Sequence, residues 1–138
     1  DTNMTDWLEL VTNYNNTHAL LFAPEPKLQF FGFGQGRGSV LAEDFFGPTF
    51  IRMREAYDRG DIVGARREQQ WKLDASAAFS GFPHTAAERS VYRWLCDVDM
   101  GPPRPPGVAM NESMLPALKD ALTNVDFFNK AKLDPHRT

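Results

Sequence analysis

The chain has 138 residues, 42% hydrophobic and 24% charged, with a formal net charge of −3. That length supports one modest hydrophobic core in an ordinary globular chain. The acidic balance excludes the basic footprint of a nucleic-acid binder, and no apolar run is long enough to span a membrane.

Residues 6–14 place Trp7, Leu10, Val11 and Tyr14 on one helical face, with Thr5 or Asp6 as cap. His18 to Ala23 is a short apolar run suited to a strand buried on both faces. Pro24-Glu25-Pro26 ends it, and residues 27–33 read as a short helix. Gly38 to Ala42 is a second short strand, so the first fifty residues follow the helix-strand-helix-strand order of α/β proteins. Pro48 opens the next helix, which carries Ile51, Arg54 and Tyr57 and stops at Gly60. Asp61 caps a long helix with Ile62, Ala65, Gln69 and Leu73 in register. Thr85-Ala86-Ala87-Glu88 has the form of a capping box before a helix bearing Val91, Tyr92, Trp94 and Leu95.

Then comes Met100-Gly101-Pro102-Pro103-Arg104-Pro105-Pro106. Prolines at this density cannot sit in a helix or central strand, so the segment reads as a rigid, extended connector. Arg104 is its only charged side chain. Asn111 or Ser113 starts a last helix with Leu115, Leu118, Leu122 and Val125 on one stripe. Two buried parallel strands cannot hide their own edges. Their neighbours come either from another chain or from the rest of a larger fold, and the second reading is taken.

Three stretches carry a resemblance. They are Met100 to Pro105, the helix-Gly-Asp-helix joint around Arg59-Gly60-Asp61-Ile62, and Leu20-Leu21-Phe22-Ala23-Pro24-Glu25. Taken in order, they make the chain from Met4 to Phe128 resemble the C-terminal portion of the N-acetylneuraminate lyase family. That family lies within the dihydrodipicolinate synthase-like class I aldolases. The resemblance implies an α/β fold, the C-terminal part of a (β/α)8 TIM barrel plus a C-terminal helical bundle. Residues 1–60 would be the last βα units and residues 61–138 the helical extension. Such barrels need about 200 residues or more. The Schiff-base lysine, the phenolic tyrosine and the carboxylate-binding turn would all lie before Asp1.

By the same resemblance the activity would be a pyruvate-forming aldol cleavage of a sialic acid or related 2-keto-3-deoxy sugar acid. It would need no cofactor and no metal. The implied partners are the substrate, pyruvate, the missing N-terminal part of the barrel and three further copies in a homo-tetramer. No nucleic acid and no membrane are expected. Ala23 and Glu25 would stand at one strand end, with Glu25 accepting hydroxyl hydrogen bonds from the substrate tail. Ala42 and Glu43 would stand at the next, where the family has a Gly-Ser-Thr-Tyr-Asn turn and this chain has Leu41 to Phe45. Glu43 and Asp44 would repel a substrate carboxylate unless they face away or are protonated. A catalytically silent barrel used for binding or regulation is therefore the competing reading.

Other features read as structural. Lys27 and Lys72 fall on helix-like, solvated positions and are not taken as the nucleophile. The glycines from Gly32 to Gly38 serve a helix-to-strand connection, since no Lys-Ser/Thr ending follows. His18, His84 and His136 lack metal-ligand spacing, although His84 could line a pocket mouth. The Phe45-Phe46 and Phe127-Phe128 pairs read as packing. Asn-X-Ser/Thr triplets at Asn3, Asn15 and Asn111 read as chance. Cys96 is alone, which fits a reducing compartment and points to the cytoplasm.

Overall fold

The computed structural model describes residues 4–22, 37–40 and 43–132, and they form two units, Asp1–Leu73 and Asp74–Thr138. In the first unit, helix α1 spans Met4–Tyr14, with Asp6 in its first turn where the helix dipole favours an acid. Trp7 and Val11 are half-buried, whereas Leu10 and Tyr14, expected on the same face, are exposed. The helix closes through amides of Thr17 and His18 that donate to the Tyr14 carbonyl at 2.9 and 2.8 Å.

Strands β1, Leu21–Phe22, and β2, Gly38–Ser39, pair in parallel, Leu21 opposite Gly38 and Phe22 opposite Ser39. Parallel pairing is the geometry that βα units require, because the return between such strands cannot be a tight turn. The short helix expected over residues 27–33 and the glycine-rich segment up to Gly36 lie outside the described residues.

A 3-10 turn at Asp44–Phe46 leads into helix α2, Gly47–Asp58, with Pro48 in its first turn. Ile51, Arg54 and Tyr57, the residues read along this helix from the sequence, do not form its buried face. Pro48, Thr49, Met53 and Ala56 are the buried positions, and Ile51 is 48% exposed. The cause is the partner. Met53 and Ala56 form a core cluster with Ala65 of helix α3, Ile62–Ala77, flanked by Phe50 and Tyr57. Small alanines at this contact let the helices approach closely. Arg52 fastens the same pair of helices, its Nε 3.0 Å from Glu68 Oε2 and its Nη2 donating to Thr49 Oγ1 at 3.0 Å.

The joint between α2 and α3 follows the sequence closely. Gly60 has φ of +76°, a left-handed conformation that a side chain strains. Asp61 Oδ1 accepts the Gly64 amide at 2.8 Å, the hydrogen bond of an N-cap. The expected division between residues 60 and 61 falls inside the first unit.

In the second unit, helix α4 spans His84–Cys96. The capping box expected at Thr85 does not form. Pro83 is the N-cap residue, at φ of −59°, and its carbonyl accepts the Ala87 amide at 2.9 Å. A fixed φ and no N–H to leave unsatisfied let the helix begin ahead of Thr85. Ala86, Ala87 and Val91 are buried, and the exposed free thiol of Cys96 ends the helix. Asp97 then turns the chain in a left-handed conformation that aspartate tolerates better than most residues.

The proline-rich segment connects α4 to helix α5, Leu115–Asn124, as expected, but it is not extended throughout. It folds back at Arg104, whose carbonyl accepts the Gly107 amide at 2.8 Å. A Cβ on Gly107 would collide with that carbonyl and with Pro103, so the turn needs glycine. Asn111 caps the 3-10 turn Glu112–Met114 by accepting the Ser113 amide at 3.0 Å. On α5, Leu118 and Leu122 are fully buried, flanked by the half-buried Leu115 and Val125. A last short helix, α6, Phe127–Lys130, inserts Phe127, whose ring stands 6.1 Å from Phe79. Phe128 meets Trp94 edge to face at 6.0 Å. Packing of the Phe127-Phe128 pair is as the sequence implies.

Asp61→Ala removes the cap of α3 and is expected to destabilise the chain by about 1 kcal/mol. Gly60→Ala forces a Cβ into the left-handed region and is expected to cost about as much. Chemical denaturation checks both, and an unchanged midpoint for Asp61→Ala would refute the cap.

Candidate functional site

Of the four residues expected at the substrate rim, Ala23, Glu25 and Ala42 lie outside the described residues. Glu43 is described. It stands just before the 3-10 turn that launches α2, and its carbonyl accepts the Phe46 amide at 3.0 Å. The turn therefore sets the direction in which Glu43 leaves the backbone.

Glu43 Oε2 lies 3.0 Å from Lys72 Nζ. The Lys72 side chain is fully buried, while Glu43 retains 17% exposure. This overturns the expectation that Lys72 is solvated. Ala65, Gln69 and Lys72 form the inward stripe of α3, and Ile62, expected on it, is exposed. Lys27 lies outside the described residues. The Lys72 ammonium also sits 5.0 Å from the centre of the Phe46 ring, a cation–π distance. Phe46 is fully buried, braced by Phe45 at 4.9 Å and by Trp71 edge to face at 5.9 Å. Apart from Glu43, the ammonium has no polar partner among the described residues, and even that approach lacks ideal hydrogen-bond angles.

Burial disfavours the charged ammonium and lowers its pKa below the ordinary 10.5, while Glu43 pulls the other way by hydrogen bonding and charge. The arrangement can do two things. It offsets the charge of a carboxylate at the start of α2, and it holds that carboxylate in one place while the side chain keeps some exposure. Sequence reasoning missed Lys72 because a lysine on a helix reads as solvated by default. The available signal was its spacing, three and seven residues after the inward Gln69 and Ala65.

The remaining candidates are simpler. Asp44 is exposed. His84 is also exposed, with Nδ1 3.5 Å from Glu88 Oε1 one turn along α4. His18 Nδ1 lies 2.9 Å from Thr17 Oγ1, and His136 lies outside the described residues. No helix among the described residues is long and apolar enough to cross a membrane.

Comparison with known proteins gives the fold. The sequence matches no family model and no curated protein sequence. Its structure is similar to that of the wild-type sialic acid aldolase of Ruminococcus gnavus, with a TM-score of 0.81 at 14% identity. A catalytic-lysine mutant of the same enzyme gives a TM-score of 0.79, also at 14% identity. Each match covers 96% of this chain but 45% of the aldolase chain. The chain thus has the fold of just under half of such an aldolase.

Removing either partner of the ion pair leaves a desolvated charge. Lys72→Met and Glu43→Gln are each expected to destabilise the chain by about 3 kcal/mol, with the double variant Glu43→Gln/Lys72→Met recovering most of it. Denaturation midpoints test this, and additive losses would exclude the pairing.

The pH dependence has a definite sign. Just below pH 10.5 the unfolded chain keeps the Lys72 proton and the folded chain gives it up, so stability from this residue rises with pH there. Measured against Lys72→Met, the wild type is expected to gain stability as pH approaches 10.5. A flat difference would contradict it.

Proposed function

We infer that this chain is the C-terminal part of a pyruvate-forming Schiff-base aldolase acting on a sialic acid or related 2-keto-3-deoxy sugar acid. The observation that carries the reading is the match of 96% of the chain to a sialic acid aldolase at a TM-score of 0.81. The parallel pairing of β1 and β2 supports it, since βα units place their strands in parallel. In this reading residues 1–60 supply the last βα units of a TIM barrel and residues 61–138 a helical extension. The remainder of the barrel comes from residues outside this chain, and the whole works as a homo-tetramer in the cytoplasm.

The chemistry needs an amine that is unprotonated near neutral pH to attack the 2-oxo carbon. The resulting iminium then accepts the electron pair released by carbon–carbon cleavage. Lys72 is poorly suited to that role, because it is wholly buried and paired with a carboxylate. The reactive lysine and the phenol that shuttles protons are assigned to the part of the barrel outside this chain. What this chain contributes is the rim. Ala23 and Glu25 would face the polyol tail, and Ala42 and Glu43 the other strand end. Lys72 offsets the charge of Glu43, which relieves much of the repulsion that this carboxylate would exert on an anionic substrate.

One feature favours a second reading, a catalytically silent barrel. Leu41 to Phe45 carries neither the glycine nor the hydroxyl residues of the ligand turn. The two readings part on one experiment. Full-length protein treated with pyruvate and sodium borohydride is expected to carry a reduced pyruvyl adduct on a lysine outside residues 1–138. Lys27 and Lys72 should remain unmodified in peptide mass spectrometry. No adduct anywhere would remove the aldolase reading, and an adduct on Lys72 would remove this assignment of roles.

A further inference from the structure

We propose that the cavity between α4 and the proline-rich connector binds a small zwitterion, an α-amino acid with an apolar side chain. The site belongs wholly to the second unit and does not rest on the aldolase reading.

The cavity has a volume of about 260 Å³. That is room for roughly nine waters' worth of liquid, hence for a ligand of comparable heavy-atom count. Its apolar lining includes Pro102, Pro103, Met110 and Leu115. One wall is held in place by the chain itself. Arg89 Nη1 donates to the carbonyls of Met100, Gly101 and Pro102 at 3.1, 3.0 and 2.7 Å. Asp99 Oδ1 accepts the Gly101 amide at 2.8 Å. A binding surface ordered beforehand spares a ligand the entropy of ordering it.

Those contacts leave two charged lining groups with capacity to spare. Arg93 of α4 makes one long contact, Nη1 to Asp99 Oδ2 at 3.8 Å. Glu112, where the connector meets the 3-10 turn, has no side-chain partner among the described residues. A lone anion drawn to Arg93 would meet the Glu112 carboxylate, and a lone cation drawn to Glu112 would meet Arg89 and Arg93. A zwitterion matches both signs. Its carboxylate would take the guanidinium fork of Arg93, its ammonium the Glu112 carboxylate, and its side chain the surface of Met110 and Leu115. Methionine adapts readily to such contacts.

Calorimetric titration of the full-length protein with L-leucine and L-methionine is expected to show saturable one-to-one binding. Arg93→Gln and Glu112→Gln should each weaken it about tenfold, the effect of losing one charge-assisted hydrogen bond. Both side chains are exposed, so thermal melting should not change. Leucinamide, lacking the carboxylate, and N-acetyl-leucine, lacking the ammonium, should not bind. If a variant melts early, these two analogues decide the matter on wild-type protein. Absence of saturable binding up to about 10 mM overturns the proposal, as does equal binding of the blocked analogues or indifference to both substitutions. A negative borohydride result would leave it untouched.

Discussion

Lys72 imposes the strictest condition on the first unit. An ammonium removed from water needs an opposite charge at contact distance, because the desolvation penalty is several kcal/mol. Glu43 supplies that charge at 3.0 Å, and the Phe46 ring adds its negative face. Three residues from two stretches of chain must therefore converge. Glu43 and Phe46 bracket the turn after β2, and Lys72 lies near the end of α3. An apolar pair of the same volume would tolerate sliding along the helix. A charge pair does not, so the interaction sets where the strand exit meets α3. The Met53–Ala56–Ala65 cluster and the Arg52–Glu68 bridge then act on helices already in register.

In the second unit the corresponding organiser is Arg89. The stretch between α4 and α5 contains little regular backbone to satisfy its own carbonyl groups. Proline removes donors without removing acceptors, so a proline-rich loop has too many carbonyls for its amides. A single guanidinium resolves much of that imbalance by binding three successive carbonyl oxygens. The same solution explains how a loop of this composition stays beside a helix without forming one.

Legibility in the sequence tracked how local each cause was. The α2–α3 joint was readable because Gly60 and Asp61 act on their immediate neighbours. So were the Asn111 cap, the first-turn Pro48 and the stripe through Leu118 and Leu122. Both strand positions are also readable, but the expected burial on both faces fails, since Leu21 is 53% and Val40 51% exposed. The buried face of α2 was not readable, because Ile51 looks more apolar than Ala56 until Ala65 is known to face it. Thr85 is not the cap, because two local rules compete there and Pro83 comes first in the chain. At the candidate site, the pairing of Glu43 with Lys72 is not legible. Nothing in the sequence near Glu43 announces a lysine on a later helix.

The free thiol at the end of α4 has a consequence for handling the molecule. Cys96 is this chain's sole cysteine, and it is exposed immediately before the left-handed turn at Asp97. Any disulfide it makes must reach a thiol outside these 138 residues. If that thiol belongs to another copy, the link sits four residues before Met100, the first of the residues whose carbonyls Arg89 holds. Reductant in the buffer therefore keeps an oxidative bond from forming at the entrance to that loop.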